Sequence, residues 1–202
     1  MVALEVGKRL RVTPLAIPEV KLVAPIRRTD PRGYLAETFN QRDLATFGMD
    51  FDAVQDNQSL SRPKGTLRGL HFQIPPFAQA KLIRVLCGSI FDVAVDIRRG
   101  SPTFGRHVSV TLRADGFEQL FVPVGFAHGF CTLEPDTEVF YKVDNFYSAE
   151  HDCGILWNDP DLAIDWPVSP NEATLSDKDL QLPRLKDISP AFTFEGAARA
   201  SA

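Results

Sequence analysis

The sequence predicts an all-β fold of the sandwich, jelly-roll or small-barrel type, with a few short helices. Short stretches of alternating apolar and polar residues fill its middle, from about Val54 to Tyr147. Turn-forming residues such as Cys87-Gly88-Ser89 separate these stretches. Many short strands with turns between them are typical of these all-β architectures.

The alternation is clearest over residues 89–98. Its two faces carry different residues: Phe91, Val93, Val95 and Ile97 on one, and Asp92, Ala94, Asp96 and Arg98 on the other. A period of two predicts a strand. Residues 81–86 precede it across a tight connection, so the two stretches predict a hairpin. Further strands are predicted over 34–39, 54–59, 67–73, 107–112, 119–122, 127–132 and 138–144.

Two short helices are predicted from their capping residues. Asn40 caps one that runs through Phe47 and ends at Gly48. Ser176 caps the other, with Asp179 three residues later as an acidic partner. The length of 202 residues predicts one domain over 1–202. We expect a jelly-roll core over about 20–147, loops and a short helix over 148–190, and a flexible tail over 191–202.

Composition argues against several partner classes. The net charge of -4 gives no reason to expect nucleic acid or an anionic membrane as a partner. No stretch approaches the roughly 20 apolar residues of a membrane span. The N-terminal residues lack the pattern of a secretory signal, so we expect a cytoplasmic protein. The three widely spaced cysteines, Cys87, Cys131 and Cys153, predict reduced, buried thiols.

The histidines predict no metal site. Only His71, His107, His128 and His151 occur, and none has a second histidine two residues away. A divalent ion needs three or four convergent ligands, which metal-binding barrels of this class normally supply with a His-x-His pair. Separated strands could still bring histidines together, so a metal-dependent cupin remains an alternative.

His71 and Lys81 are ambiguous when each is taken alone. His71 shares a strand face with Gly69 and Gln73, which suits either a ligand-admitting barrel interior or a buried structural histidine. Lys81 shares a face with apolar residues, where an ammonium group requires a partner unless it is exposed at the start of the strand.

Three other polar residues carry equally weak signals alone. Tyr141 lies on the face of Val139 and Val143, where most tyrosines are core residues whose hydroxyl finds one acceptor. Lys178 and Asp179 resemble ordinary charges on a helix surface.

The ordered set of motifs is far more specific than any single residue. It comprises RGYLAE (32–37), VQDN (54–57), LRGLHFQ (67–73), QAKLIRV (79–85), FDVAVDIR (91–98), SPTFG (101–105), GFAHGF (125–130), FYK (140–142), ILWNDP (155–160) and LSDKD (175–179). From about residue 32 to 179, the chain closely resembles the dTDP-4-dehydrorhamnose 3,5-epimerase family.

This resemblance implies a metal-free, cupin-like jelly roll that dimerises by exchanging strands. It implies that His71 is the base, Asp179 its partner, Tyr141 the proton donor, and Lys81 the cation beside the 4-keto oxygen. It also implies a set of substrate-binding residues: Arg32, Glu37, Gln55, Asn57, Arg68, Lys81, His128, Tyr147, Asp152 and Lys178. Three residues depart from the family pattern: Gln58, Phe146 and Asp152.

The implied reaction is the inversion of C3 and C5 of dTDP-4-dehydro-6-deoxy-D-glucose, to give dTDP-4-dehydro-L-rhamnose. A ketone at C4 acidifies these hydrogens, and an imidazole with a pKa of about 6.5 is a suitable base near neutral pH. No cofactor is required, and no Gly-x-Gly-x-x-Gly loop is present to bind one. The alternatives are a single-centre epimerase of a related nucleotide sugar, a metal-dependent cupin and a non-catalytic sugar-binding cupin.

Overall fold

The computed structural model describes residues 4–6 and 9–195. Within them lie fourteen strands: β1 Leu4–Val6, β2 Leu10–Pro14, β3 Lys21–Pro25, β4 Arg28–Asp30, β5 Gly33–Leu35, β6 Gln55–Ser61, β7 Leu67–Gln73, β8 Lys81–Cys87, β9 Ser89–Asp96, β10 His107–Arg113, β11 Gln119–Val122, β12 Phe126–Thr132, β13 Thr137–Val143 and β14 Asp152–Gly154. The helices in this part of the chain are α1 Gln41–Ala45, α2 Asp177–Leu180 and a 3-10 turn Leu185–Asp187.

The strands form two large antiparallel sheets and a small hairpin. The seven-stranded sheet has the order β1-β2-β3-β11-β8-β13-β6, the five-stranded sheet has the order β10-β9-β12-β7-β14, and β4 pairs with β5. Apolar residues from both large sheets pack together between them, among them Ile83 of β8, Ile90 of β9 and Val139 of β13. The predicted all-β jelly roll is therefore confirmed.

The predicted hairpin of residues 81–86 and 89–98 is wrong. The turn is present, but β8 pairs with β11 and β13, whereas β9 pairs with β10 and β12. Gly88 has φ +78°, and a Cβ there would lie 2.5 Å from the Thr137 hydroxyl oxygen. Glycine adopts this conformation readily, and it lets the chain cross directly from β8 in one sheet to β9 in the other.

The alternation in β9 is confirmed, but its polar face is the inner one. Val93 and Val95 pack on the outer side of the five-stranded sheet, where the C-terminal segment covers them with Trp157 and other residues. Asp92 and Asp96 lie on the opposite face, and both are fully buried. The apolar face of β9 is therefore covered by C-terminal loops, and the acidic face of the same strand points into the barrel.

Several elements differ from their predicted bounds. Strands β1, β2, β3, β4 and β14 were not predicted, because short stretches next to prolines or loops lack clean alternation. The strand predicted over 34–39 is only β5. Helix α1 ends at Ala45 rather than Phe47, although Asn40 does cap it through the backbone N–H groups of Arg42 and Asp43.

The beginning of the predicted flexible tail is hydrogen-bonded. The Arg99 N–H donates to the Phe192 carbonyl at 2.8 Å, and the Phe194 N–H donates to the Arg99 carbonyl at 2.9 Å. Residues 196–202 of that prediction lie outside the described residues. The three cysteines are free thiols, but only Cys131 is buried, so the prediction of burial fails for Cys87 and Cys153.

No helix among the described residues has the length and apolar character needed to cross a membrane. The cytoplasmic location expected from the sequence stays a prediction.

Candidate active site

A cavity of about 390 Å³ lies between the two large sheets and is lined by strands of both. Seven of the residues predicted for the site line it: Arg68, His71, Lys81, His128, Tyr141, Lys178 and Asp179. They come from strands β7, β8, β12 and β13 and from helix α2. Residues scattered over more than a hundred positions therefore converge on one concave surface.

His71 and Asp179 form a hydrogen-bonded pair in this cavity. His71 Nε2 lies 2.6 Å from Asp179 Oδ1. Burial alone would raise the pKa of Asp179, but hydrogen bonds from His71, Ser176 and the Gly69 N–H outweigh it and hold this pKa below its usual value. Asp179 is therefore ionised near neutral pH and accepts a hydrogen bond from the Nε2–H group, which leaves Nδ1 as the ring nitrogen that can accept a proton.

Gly69 allows β7 to approach its neighbour closely enough to place His71. Its φ is +114°, and a Cβ there would lie 2.6 Å from the His128 carbonyl oxygen and 2.7 Å from Gly129 Cα. The pairing of β7 with β12 is irregular at this point, between His128 and Phe130. The small residue in the polar row therefore serves a close backbone contact rather than space for a ligand.

Lys81 lies at the start of β8 with its amine inside the cavity. Its Nζ donates to the His71 carbonyl oxygen at 3.3 Å. Burial lowers the pKa of Lys81 to about 8, against the opposing effect of the negative charges of Asp152 and Asp92. The cavity thus holds an ammonium group whose charge is sensitive to mildly alkaline pH.

Tyr141 and Arg68 flank the same space. Tyr141 lies on β13 opposite Ile83 of β8, and burial raises the pKa of its phenol, so it is protonated at neutral pH. Arg68 Nε donates to the Ser61 hydroxyl at 3.2 Å, and its guanidinium lines the cavity. A phenol and a permanent cation therefore stand together with the His71 imidazole.

A second histidine–carboxylate pair was not predicted. His128 Nε2 lies 2.6 Å from Oδ1 of Asp92, which is fully buried and whose Oδ2 has no hydrogen-bond partner in the structure. His128 lies directly opposite His71 in the sheet. The acidic residues on the polar face of β9 are the sequence feature from which this pair could have been predicted.

Three predicted binding residues meet at the rim. The Tyr147 hydroxyl donates to Asp152 Oδ2 at 3.1 Å, and Lys178 Nζ donates to the same oxygen at 2.5 Å. Burial opposes the charge on Lys178, yet this hydrogen bond and the negative charge of Asp152 raise its pKa. Asp152 therefore links the exposed Tyr147 ring to the helix that carries Asp179.

Gln55 and Asn57 are hydrogen-bonded to each other and are not among the residues that line the cavity. Gln55 Nε2 donates to Asn57 Oδ1 at 2.9 Å, while Gln55 Oε1 accepts from the Tyr147 N–H at 3.0 Å. The Gln55 amide therefore holds the segment that carries Tyr147, and Asn57 in turn holds Gln55. Of the three departures, Gln58 donates to Glu138 on the outer face, and Phe146 is exposed beside Tyr147.

Arg32 and Glu37 do not line the cavity. Arg32 lies in the turn of the β4–β5 hairpin with 90% of its side chain exposed, and it binds Asp30 at 2.6 Å. Glu37 lines a separate shallow depression together with Arg9 and Arg28. Within one chain, these two predicted binding residues are separated from the other site residues.

Among residues 4–6 and 9–195, no group of three or more His, Cys, Asp or Glu side chains is arranged to hold a metal ion.

Comparison with known proteins gives consistent matches. The family model described as dTDP-4-dehydrorhamnose 3,5-epimerase matches residues 14–187. The dTDP-4-dehydrorhamnose 3,5-epimerase of Sinorhizobium fredii is 49% identical over 180 residues, which cover 89% of this chain and 92% of that one. The Shigella flexneri protein of the same name is 47% identical and covers 88% of this chain and 97% of its own.

Solved structures agree with these sequence matches. The Bacillus anthracis dTDP-4-dehydrorhamnose 3,5-epimerase with TDP and PPi bound has a TM-score of 0.83 and 51% identity, covering 87% of this chain and 99% of that one. A Legionella pneumophila epimerase in complex with dTDP-4-keto-L-rhamnose has a TM-score of 0.88 and 39% identity, covering 93% and 100%. A 3'-monoepimerase from Streptomyces bikiniensis in complex with dTDP-quinovose has a TM-score of 0.78 and 34% identity, covering 86% and 87%.

Proposed function

The chain belongs to the dTDP-4-dehydrorhamnose 3,5-epimerase family, and we propose that it inverts C3 and C5 of dTDP-4-dehydro-6-deoxy-D-glucose to give dTDP-4-dehydro-L-rhamnose. One observation carries this proposal: the His71–Asp179 pair, with its 2.6 Å hydrogen bond, shares a cavity with Lys81 and Tyr141. These are the base, the cation and the acid that proton transfer beside a ketone requires.

His71 removes the proton from the carbon beside the C4 ketone. Asp179 accepts a hydrogen bond from Nε2, so Nδ1 is the nitrogen that takes the proton. As the imidazole becomes imidazolium, the ionised carboxylate at 2.6 Å stabilises the new positive charge. General-base catalysis of this kind typically contributes about 100- to 10,000-fold to the rate.

Lys81 stabilises the negative charge that develops on the keto oxygen. Its ammonium group is partly buried, and a charge in such surroundings interacts more strongly than in water. His128, held by Asp92 through Nε2, lies opposite His71 on the neighbouring strand, and its Nδ1 is left to form a hydrogen bond with the substrate. Stabilisation of the developing oxyanion is commonly the largest catalytic effect.

Tyr141 returns a proton from the opposite face of the sugar. Because burial raises the pKa of its phenol, the hydroxyl is protonated at neutral pH and can donate to a carbanion. Deprotonation by His71 and reprotonation by Tyr141 invert the configuration of the carbon, whereas return of the proton by His71 restores the original configuration.

Cationic side chains bind the diphosphate. Arg68 and Lys178 both line the cavity, and their positive charges attract phosphate oxygens. The exposed ring of Tyr147 provides a surface on which a nucleobase can stack. Phe146, beside Tyr147, replaces a frequent Tyr of the family, and the loss of one hydroxyl changes substrate contacts rather than the reaction.

Arg32 and Glu37 bind substrate in the cavity of a partner chain. In one chain they lie away from the cavity, on and beside an exposed hairpin, which carries Leu35 with 76% of its surface exposed. A homodimer that exchanges this region would place both residues at a second copy's site and cover the exposed apolar side chain. This arrangement reconciles their predicted role with their position.

A single-centre epimerase is the second candidate. The 3'-monoepimerase from Streptomyces bikiniensis shares the fold at 34% identity, so this architecture can serve a relative that is named for one centre. The identities of 49% and 51% to enzymes named 3,5-epimerases favour inversion at both centres.

Proton NMR in deuterated water tests the proposal. The purified protein is mixed with dTDP-4-dehydro-6-deoxy-D-glucose, and deuterium incorporation and inversion are followed at C3 and C5. We expect both at both centres. Exchange and inversion at one centre would establish the second candidate, and no exchange at either carbon would contradict the epimerase assignment.

A further inference from the structure

The segment 145–148, which follows β13, presents two aromatic rings to solvent. Phe146 and Tyr147 are 60% and 59% exposed. Exposed connections are ordinarily the mobile parts of a protein. Here, however, glutamine side chains from three different parts of the chain bind the backbone of each of its four residues in turn.

Gln73 makes the largest share of these contacts. It lies on β7 two residues after His71 and is only 4% exposed. Its Nε2 donates to the Phe77 carbonyl at 2.6 Å and to the Phe146 carbonyl at 3.1 Å, and its Oε1 accepts from the Ser148 N–H at 2.7 Å. The Gln73 amide therefore uses both of its N–H donors and its oxygen acceptor to bind two loops, one at Phe77 and one at residues 146–148.

Other amides hold the residues between these points. Gln79 Nε2 donates to the Asn145 carbonyl at 2.7 Å, and Gln55 Oε1 accepts from the Tyr147 N–H at 3.0 Å. The Tyr147 hydroxyl is bound as well, by Asp152 at 3.1 Å. Tyr147 is thus fixed at its backbone and at the tip of its side chain, although the residue as a whole remains 59% exposed.

We propose that Gln73 is a positioning residue for nucleotide recognition, which acts by holding segment 145–148 so that the Tyr147 ring is ready to stack on the nucleobase. This inference rests on the proposed function and extends it to a residue outside the catalytic and binding sets. A preformed platform avoids the entropy cost of ordering a loop when the nucleotide binds. Only an amide supplies two donors and an acceptor at this place, since a carboxylate lacks the donors and an apolar side chain lacks all three.

The test measures dTDP affinity by titration calorimetry for wild type and Gln73→Met, a variant of similar size without the amide. We expect dTDP to bind about tenfold more weakly, because the variant loses both hydrogen bonds by which Gln73 holds the segment. Gln119→Met is the matched control, because Gln119 is also 4% exposed and donates to the Thr38 carbonyl at 2.8 Å away from the cavity. Its affinity should equal that of wild type.

The readout that separates positioning from general stability is a double-mutant cycle with Tyr147→Ala. If Gln73 acts through the Tyr147 ring, Gln73→Met causes no further loss of affinity in the Tyr147→Ala background. At saturating substrate, deuterium wash-in should fall much less than affinity, because the His71–Asp179 pair is untouched. Unchanged affinity of Gln73→Met, or an additive loss in the double variant, would overturn the proposal.

A milder variant covers the case in which Gln73→Met fails to fold. Gln79→Met removes only the bond to the Asn145 carbonyl, so we expect a loss of dTDP affinity of a few fold, again absent in the Tyr147→Ala background. Unaltered dTDP affinity of Gln79→Met would also contradict the proposal that a fixed segment 145–148 aids nucleotide binding. Failure of the wild-type protein to bind dTDP would instead contradict the proposed function itself.

Discussion

The Nε2 atom of His71 lies 2.6 Å from the Oδ1 atom of Asp179, although the two residues are 108 positions apart in the chain. Strand β7 carries the imidazole, and the short helix α2 carries the carboxylate. The Ser176 hydroxyl accepts from the Asp179 N–H at 3.1 Å and so fixes the first turn of α2. A capped helix of one turn therefore determines the orientation of the base.

We expect His71→Ala to abolish deuterium exchange at C3 and C5, with a loss between about 100- and 10,000-fold. Asp179→Asn should be less severe, because it weakens and misorients the base without removing it. Solvent exchange followed by NMR measures both, with wild-type binding of dTDP as the control for folding. Exchange at the normal rate in His71→Ala would place the base elsewhere.

The part of this site that sequence could predict lies on regular elements. The period of two in 67–73 and 138–144 places His71 and Tyr141 on identifiable strand faces, and the capping pattern at Ser176 places Asp179 in the first turn of a helix. Their roles came from resemblance, since each residue alone fits an ordinary structural position equally well.

Asp92 and the sheet pairing lay beyond such prediction for a physical reason. Alternation reports which residues share a face, not which face is buried or which strand is the partner. In β9 the apolar face lies under the C-terminal loops, so the acidic face is the inner one. Likewise, β8 and β9 follow each other directly but lie in different sheets, because each is flanked by other strands.

The shifted pKa of Lys81 predicts an alkaline limb in the pH profile. Burial lowers this pKa to about 8, so the ammonium group loses its charge as pH rises through that value. We expect kcat/KM to fall above pH 8, approaching about tenfold per pH unit, because only the charged form stabilises the enolate. Lys81→Arg should move any residual limb to higher pH, since guanidinium stays charged. An unmoved limb in that variant would assign it to another group.

Complementation between two inactive variants tests whether each cavity is completed by Arg32 of the partner chain. Arg32→Ala and His71→Ala chains are each expected to be impaired as homodimers. If Arg32 serves the partner's cavity, a mixed dimer holds one intact site, built from His71 of one chain and Arg32 of the other. An equal mixture after subunit exchange should then recover about a quarter of wild-type activity. No recovery would show that Arg32 acts within its own chain or not at all.

We expect activity to survive exhaustive chelation, because the electrostatic role of a metal at the keto oxygen falls to Lys81. The measurement compares turnover before and after treatment with a strong chelator, together with metal analysis of the purified protein. The prediction would be contradicted by a tightly bound transition metal whose removal stops turnover and whose return restores it.

Tyr141→Phe separates proton exchange from inversion. His71 can remove a proton and return it to the same face unaided, whereas inversion needs a donor on the opposite face. The substitution keeps the ring that packs beside the apolar core and removes only the hydroxyl, so the fold should be little affected. The variant should still incorporate deuterium at C3 and C5 while forming much less inverted product, and NMR of one reaction mixture reports both quantities. If exchange and inversion fall together in a well-folded variant, Tyr141 is not the specific donor. If inversion continues at the wild-type rate, water or another side chain delivers the proton.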